Sequence, residues 1–237
     1  MDEEAFAKVI AEGRSMQQRF PELEGVAVGG TAAALHCRHR FSLDVDLVTP
    51  QLKDVYPQVA DALEHWDGWK TNRTNPPLLI LGKRHGVELG LRQQRRAVPL
   101  QIVRTDGLVI SSGAETLRVK AFLLQERRAT RDYIDVAALA EHLGQSEAIK
   151  ALGYLNLLYS QGTSQSTVTR LAEAVEASPL DLAETDLSVY KGLRAPFTDW
   201  SYVSGACRRL GRELLKLELG NRLPSTLDEG FYETHPK

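Results

Sequence analysis

The stretch that decides the fold reads Val26-Ala-Val-Gly-Gly-Thr-Ala-Ala-Ala-Leu-His-Cys-Arg-His-Arg-Phe-Ser-Leu-Asp-Val-Asp-Leu-Val48. A short apolar run ends in Gly29 and Gly30, a helix of small residues and a basic turn follow, and a second apolar run contains Asp44 and Asp46. Because side chains alternate between the two faces of a strand, both aspartates are predicted to project from one side. Neighbouring carboxylates repel each other unless a cation lies between them.

These elements in this order predict a site for a metal-bound nucleoside triphosphate. An Asp-x-Asp pair or a Gly-Gly pair alone usually marks a turn, so it is the order that is specific. Mg²⁺ prefers oxygen ligands and commonly joins one or two protein carboxylates to substrate phosphates. Glycines allow close approach of the backbone to a phosphate, and a helix N-terminus adds a positive dipole end. The expected Mg²⁺ ligands are Asp44 and Asp46, and the expected nucleotide contacts are Gly29, Gly30, Thr31 and Ser42.

The composition is ordinary for a globular protein: 43% of the 237 residues are hydrophobic and 25% are charged. No apolar run approaches the roughly 18 residues that a transmembrane helix needs, so no membrane partner is expected. The acidic N-terminus lacks the apolar core of a signal peptide. Cys37 and Cys207 are far apart and have no metal-ligand spacing. We therefore expect reduced cysteines and a cytoplasmic location.

The periodicity of apolar residues predicts two regions. Residues 1–112 are predicted to form an α/β core, with short strands over 25–28, 45–48, 78–81, 87–91 and 98–103 and turn residues over 72–77. Residues 113–237 are predicted to form a helical domain, because the pattern after Glu115 is helical throughout.

The opening stretch resembles the signature of the nucleotidyltransferase (polymerase-beta-like) superfamily. Within it, the stretch is most similar to the AbiEii/AbiGii toxin family of type IV toxin–antitoxin systems, whose members read Gly-Gly-Thr-Ala-x-x-Leu and then His-Arg-x-Ser-x-Asp-x-Asp-Leu. The matching residues are Gly29, Gly30, Thr31, Ala32, Leu35, His39, Arg40, Ser42, Asp44, Asp46 and Leu47. The resemblance implies an α+β fold, in which a small mixed nucleotidyltransferase-type sheet flanked by helices precedes a C-terminal helical bundle.

A second motif combines Lys120 with Asp132 and Asp135. The i, i+3 spacing puts both aspartates on one helix face, where Arg128–Asp132 and Arg131–Asp135 could also form local i, i+4 pairs. Proteins of the AbiEii type carry a Lys on such a helix and then Arg/Lys-Asp-(Phe/Tyr)-Ile-Asp-Leu. The resemblance therefore implies that Lys120 and Arg131 contact the nucleotide and that Lys120, Asp132 and Asp135 take part in catalysis.

One departure from the family concerns a third acidic residue, which the superfamily usually places on a later strand. The strand over 98–103 fits that pattern best, and it has Gln101 at the acidic position. A neutral amide is a poor Mg²⁺ ligand. Glu88 or Asp106 could substitute; if neither does, two-metal chemistry is in doubt.

The resemblance implies a Mg²⁺-dependent enzyme that moves a nucleoside monophosphate from a nucleoside triphosphate to an acceptor hydroxyl. The implied role is that of a toxin, with tRNA as a plausible acceptor and a cognate antitoxin protein as a partner. The alternative is a catalytically degenerate module on the same fold that binds nucleotide, RNA or a protein. The excess of basic residues from Lys83 to Arg131 would suit either function, or it could be a set of solvated faces.

Overall fold

The computed structural model describes residues 2–159, 162, 164–227 and 231. Within these ranges the chain divides into two compact units. The first contains residues 2–32 and 41–111, and the second contains residues 33–40 and the described residues from Ser112 onward. The second unit therefore includes a short segment that precedes most of the first unit in the sequence.

A mixed seven-stranded sheet organises the described part of the first unit, with the strand order β3-β4-β5-β2-β1-β7-β6. The strands are β1 (Val26–Val28), β2 (Asp44–Thr49), β3 (Trp69–Asn75), β4 (Leu79–Arg84), β5 (Val87–Gln93), β6 (Ile102–Thr105) and β7 (Leu108–Ser111). Strand β2 pairs with β1 antiparallel and with β5 parallel. These two pairings put β2 inside the sheet. The strand order puts β3 at one edge.

The helices α1 (Asp2–Arg19) and α3 (Leu52–Glu64) pack on one face of this sheet. Strand β2 shows why: Val45 and Leu47 are each 1% exposed, whereas Asp44, Asp46 and Val48, which alternate with them, are only half-buried. Strand β5 follows the same alternation, with Leu89 buried and Glu88 exposed. Val45, Leu47 and Leu89 therefore point to the helices, and Asp44 and Asp46 lie on the opposite face.

Helix α2 (Gly29–Cys37) starts in the first unit and continues into the second. The other helices of the second unit are α4 (Gly113–Arg127), α5 (Thr130–Leu143), α6 (Gln145–Gly153), α7 (Leu155–Leu158), α8 (Thr167–Glu176) and α9 (Trp200–Leu219). Helix α4 begins at an N-cap, Ser112, whose hydroxyl accepts a hydrogen bond from the Glu115 amide. The core contains Ala33 from α2, Leu117 from α4, Tyr133 and Leu139 from α5, and Leu214 from α9.

The predicted fold class is confirmed: a mixed sheet flanked by helices is followed by a helical region. Two local predictions were wrong. Residues 72–77 were expected to be turn, but β3 extends to Asn75. The strand expected over 98–103 begins only at Ile102 and pairs with β7, which was not predicted. In the part of the chain that is described, no helix is long and apolar enough to cross a membrane.

Candidate functional site

Asp44 and Asp46 project from the same face of β2, as the strand alternation predicts. Both are partly exposed, and the intervening Val45 is buried under the helices. The backbone of Asp46 lies opposite Val28, the last residue of β1, and Gly29 follows directly. The aspartate pair is therefore beside the glycine turn, within the first unit.

Gly29 has a φ of 72°, which is the left-handed conformation that favours glycine. This conformation turns the chain from β1 directly into α2, so the first amides of the helix lie at the end of the strand. The Thr31 hydroxyl donates a hydrogen bond to the main-chain carbonyl of Asp44. Thr31 thereby connects the helix start to the strand that carries the aspartates, and it is itself buried.

Ser42 positions the first aspartate. Its hydroxyl donates a hydrogen bond to the Asp44 carboxylate over 2.8 Å, and the residue is only 2% exposed. In this arrangement the Ser42 hydroxyl binds the Asp44 carboxylate. A contact of that hydroxyl with a phosphate stays a prediction.

Asp46 has a cationic partner that the sequence analysis missed. The Nε of Arg92, on β5, lies 3.0 Å from Asp46 Oδ1, and the two side chains are 41% and 30% exposed. Between Arg92 and Glu88, the same face of β5 has Gly90, which lies opposite Asp46 in the parallel register. A Cβ at Gly90 would be 2.1 Å from Asp46 Oδ1. The absent side chain therefore makes room for the carboxylate, and only the register of β2 against β5 reveals this.

The segment that has Gln101 at the acidic position of the superfamily pattern does not adjoin β2. Gln101 precedes β6, which is separated from β2 by β1 and β7. Asp106 lies in the turn between β6 and β7, at the same edge of the sheet. The parallel neighbour of β2 is β5, and there Glu88 lies directly opposite Asp44. Glu88 is thus the better placed of the two substitutes.

The donor set fits a single Mg²⁺ that shares its coordination with phosphates. Among the described residues, no group of three or more His, Cys, Asp or Glu side chains is arranged to hold a metal ion. Two carboxylates on one strand face suffice when substrate oxygens complete the octahedron, because Mg²⁺ is usually bound by one or two carboxylates together with phosphates.

The second motif forms a buried charge cluster within the second unit, centred on Asp135. Arg40 donates hydrogen bonds to both oxygens of this carboxylate, from Nε over 2.7 Å and from Nη2 over 2.8 Å. His39 Nε2 donates to it over 2.8 Å, and Lys120 Nζ is 2.6 Å away. Burial opposes the charge of Asp135, but Arg40 and Lys120 outweigh it and hold the pKa of this carboxyl well below its usual value.

Asp132 shares Lys120 with Asp135. Lys120 Nζ donates to Asp132 over 3.0 Å, and Arg127 binds the same carboxylate over 2.6 and 2.9 Å. Burial would raise the pKa of Asp132, but Lys120 and Arg127 together lower it. Lys120 itself is 2% exposed.

The local pairs Arg128–Asp132 and Arg131–Asp135 are not formed in the described part of the chain. Helix α4 ends at Arg127, Arg128 adopts a left-handed conformation with φ 43°, and α5 begins only at Thr130. Pairing at i, i+4 requires a continuous helix, so the break at Arg128 removes the Arg128–Asp132 pair. Arg131 and Asp135 are both within α5, but Asp135 is buried against Arg40 and Lys120. Arg131 is exposed on α5.

His39 completes the cluster as a neutral side chain. Its Nε2 carries the proton that Asp135 accepts, so Nδ1 has no proton, and this buried atom has no hydrogen-bond partner. Burial lowers the pKa of His39, and the hydrogen bond to Asp135 only partly offsets that effect. Its imidazole edge also packs against the Phe197 ring.

Comparisons with known proteins identify the fold. No protein-family model matches the sequence, and no curated protein matches it. Two solved structures from Helicobacter pylori align over nearly the whole chain. A protein described as a candidate nucleotidyltransferase shares 16% identity, covers 92% of this chain and 95% of its own, and has a TM-score of 0.50. The protein JHP933 shares 15% identity, covers 93% of both chains, and has a TM-score of 0.51. The chain thus has the nucleotidyltransferase fold.

Proposed function

We propose that the protein transfers a nucleoside monophosphate from a nucleoside triphosphate to an acceptor hydroxyl and releases pyrophosphate. The observation that carries this proposal is the position of Asp44 and Asp46 on one strand face beside the left-handed turn at Gly29. On a nucleotidyltransferase fold, this is a place where carboxylates and free backbone amides meet. Gly29 and Gly30 would contact the triphosphate through the backbone at the start of α2.

Asp44 and Asp46 would hold Mg²⁺, which when bound supplies positive charge against the phosphate oxygens. The residues of the chain have separate tasks around that charge. Ser42 fixes the Asp44 carboxylate through its hydroxyl, and Thr31 fixes the strand backbone at the same residue. Arg92 neutralises Asp46 before the substrate is bound.

The roles of the second motif stay predictions. Lys120 pairs with both Asp132 and Asp135, and all three are buried. Asp132 also pairs with Arg127, and Asp135 with Arg40. Their direct participation in catalysis or in phosphate binding would require exposure of this cluster. A positioning role requires no such change, and it is the role that the contacts favour. Arg131, which is exposed, is the residue of this motif that is free to contact a nucleotide.

For the acceptor we propose RNA, with tRNA as the first choice, and we propose that the protein acts in the cytoplasm as a toxin opposed by an antitoxin. The support is the match of residues 29–47 and 120–135 to the AbiEii pattern. An inducible-expression assay tests this role. Growth should stop on induction of the wild-type protein and continue on induction of Asp46→Asn.

A transfer assay tests the activity itself. Each of the four triphosphates, labelled at the α-phosphate, is incubated with the protein, Mg²⁺ and either total RNA or total protein. We expect label in RNA with the wild type and none with Asp46→Asn. Asp54→Asn is the matched control, because Asp54 is an exposed carboxylate on α3. Transfer by Asp46→Asn equal to that of the wild type would exclude the enzyme proposal.

The degenerate module is the second candidate, and the contact between Arg92 and Asp46 favours it. An arginine on a carboxylate can replace a metal ion as the permanent counter-charge. Calorimetry separates the two candidates: triphosphate binding that is unaffected by removal of Mg²⁺ would indicate the degenerate module.

A further inference from the structure

Basic residues at the edge of the sheet share a face with Asp44. Lys70 on β3 lies opposite Lys83 on β4, Lys83 lies opposite Glu88 on β5, and Glu88 lies opposite Asp44 on β2. Residues in register on adjacent strands project to the same face of a sheet. One row of side chains therefore runs from the edge strand to the aspartate pair.

A β-bulge brings Arg73 to this face as well. Thr71 lies opposite Gly82, Arg73 lies opposite Leu81, and the register shifts between them, so Asn72 is the extra residue. If residues 71–73 instead paired regularly, Arg73 would lie opposite Ile80 and would project to the face of Thr71, where α3 packs. A bulge is a common means of redirecting a side chain next to an active site.

These three cations, which we name the basic edge (Lys70, Arg73 and Lys83), are uncompensated. All three are exposed, and in the described ranges none of them forms an ion pair. Glu88 is the acidic residue in their row, and it lies on the Asp44 side of Lys83. The face is thus positive at the edge of the sheet and negative at β2.

Protection of an edge strand against aggregation does not explain this arrangement. Lysines on edge strands do prevent pairing with other chains. Such protection would explain Lys70 whichever face of β3 it projected from. It accounts neither for Lys83, which is on an inner strand, nor for the bulge that redirects Arg73.

We propose that the basic edge binds the phosphodiester backbone of a single-stranded nucleic acid and leads its acceptor end to Asp44 and Asp46. This inference rests on the proposed transfer activity and assigns its acceptor to a surface. Adjacent strands are about 4.8 Å apart, so Lys83 and Lys70 lie about 10 and 14 Å from the row position of Asp44. If the strand keeps the stacked spacing that it has in a duplex, about 3.4 Å per nucleotide along the axis, that distance corresponds to three or four nucleotides. Proteins that track single strands use a positive surface of this kind.

Fluorescence anisotropy tests the surface without any turnover. The full-length protein is titrated into a labelled single-stranded RNA of about 12 nucleotides, within the usual site size. We expect the triple variant Lys70→Ala, Arg73→Ala, Lys83→Ala to bind about tenfold more weakly or worse. Its slope of log K against log salt should fall by about 2, since each phosphate contact to a single strand contributes about 0.7. The charge reversal Lys83→Glu should weaken binding in the same direction.

A second triple variant is the matched control: Lys8→Ala, Arg19→Ala, Lys53→Ala removes the same charge from α1 and α3, where these residues are exposed. It should bind the RNA as the wild type does. Equal loss in both variants, or none in the basic-edge variant, would overturn the inference. So would a polyglutamate peptide that binds more tightly than the RNA, because the edge would then fit an acidic protein. No triphosphate is present, so a failure here is separate from a failure of the transfer assay.

Discussion

At the scale of single residues, Gly90 affects the aspartate pair because it has no side chain. Gly90 lies opposite Asp46, and a methyl group there would overlap the carboxylate oxygen that Arg92 also contacts. The carboxylate is the end of a short side chain, so it can rotate away at little cost to folding. Its orientation toward a metal would be lost in that rotation.

We therefore expect Gly90→Ala to abolish Mg²⁺-dependent triphosphate binding while it changes the free energy of unfolding much less than a core truncation, which costs about 2–5 kcal/mol. Isothermal calorimetry and urea unfolding measure the two effects. Gly205→Ala on α9 is the control, because the nearest atom to its new Cβ is 3.5 Å away. Unchanged triphosphate affinity in Gly90→Ala would show that Asp46 does not take part in binding.

For Lys120 we predict the opposite pattern, in which a substitution changes the free energy of unfolding most. Its ammonium is buried between Asp132 and Asp135, so Lys120→Met leaves both carboxylates with less compensation. Removal of one partner from a buried ion pair costs about 3–5 kcal/mol. We expect a loss of that order in urea unfolding.

Arg131→Met on α5, the helix that carries Asp132 and Asp135, is the matched control for Lys120→Met. Arg131 is exposed, and surface substitutions change stability by less than about 0.5 kcal/mol. A stability of Lys120→Met as high as that of the control, with weaker triphosphate binding, would return Lys120 to the role of a phosphate ligand.

At the scale of elements, the segment between α2 and β2 is bound to α5 through the buried carboxylate of Asp135. His39 and Arg40 both bind Asp135 on α5, and Arg40 does so through two oxygens. The main-chain carbonyl of His39 also accepts a hydrogen bond from the Arg194 amide. Burial is the main cause that lowers the pKa of this imidazole; Asp135 raises the pKa, and Arg40 and Lys120 lower it further.

This neutral histidine predicts a dependence of stability on pH. Because burial holds the pKa of His39 in the folded protein below its ordinary value of 6.5, the unfolded chain binds more protons as the pH falls below that value. The contribution of His39 to stability is therefore complete above about pH 6.5 and is lost on acidification, by up to about 1.4 kcal/mol per pH unit.

We expect the free energy of unfolding of His39→Gln to fall less between pH 7.5 and 5.5 than that of the wild type, even if the variant is less stable throughout. Urea unfolding at several pH values measures both slopes. His65→Gln is the control, since His65 is 75% exposed and should leave the slope as it is. Parallel slopes for all three proteins would mean that His39 is protonated in the fold.

Local sequence patterns predicted those elements in which the order of apolar and polar residues follows the burial of each residue. The alternation around Asp44 and Asp46 predicted their common face, and the amphipathic runs predicted the main helices. Strand β3 was missed because Trp69–Asn75 is an exposed, polar edge strand without an apolar face. The neighbours of Asp46 could not be predicted either: Gly90 and Arg92 approach it through a pairing between segments more than forty residues apart.

At the scale of the whole molecule, acid should act on the second unit through its buried aspartates. The pKa values of Asp132 and Asp135 are lowered in the fold, so their contribution is present above the ordinary pKa of about 3.9 and is lost as the pH falls through the lower folded values. The sign is the same as for His39, although the pH range is lower.

We expect two successive losses of stability on acidification, one beginning near pH 6.5 and one below about pH 4. Differential scanning calorimetry across this range measures them. The His39→Gln variant should retain the lower loss and lack the upper one. A melting temperature that stays constant from pH 7.5 to 3 would contradict both assignments.

The discontinuous second unit has a consequence for dissecting the gene. Residues 33–40 supply Ala33 to its core and His39 and Arg40 to Asp135, although they are encoded far upstream of the rest. A fragment that starts at Ser112 would keep Lys120 beside Asp135 and lose the other two partners. No single cut yields two self-sufficient halves. An expression library of C-terminal fragments should therefore give folded products only when the peptide 33–40 is fused to them or added back.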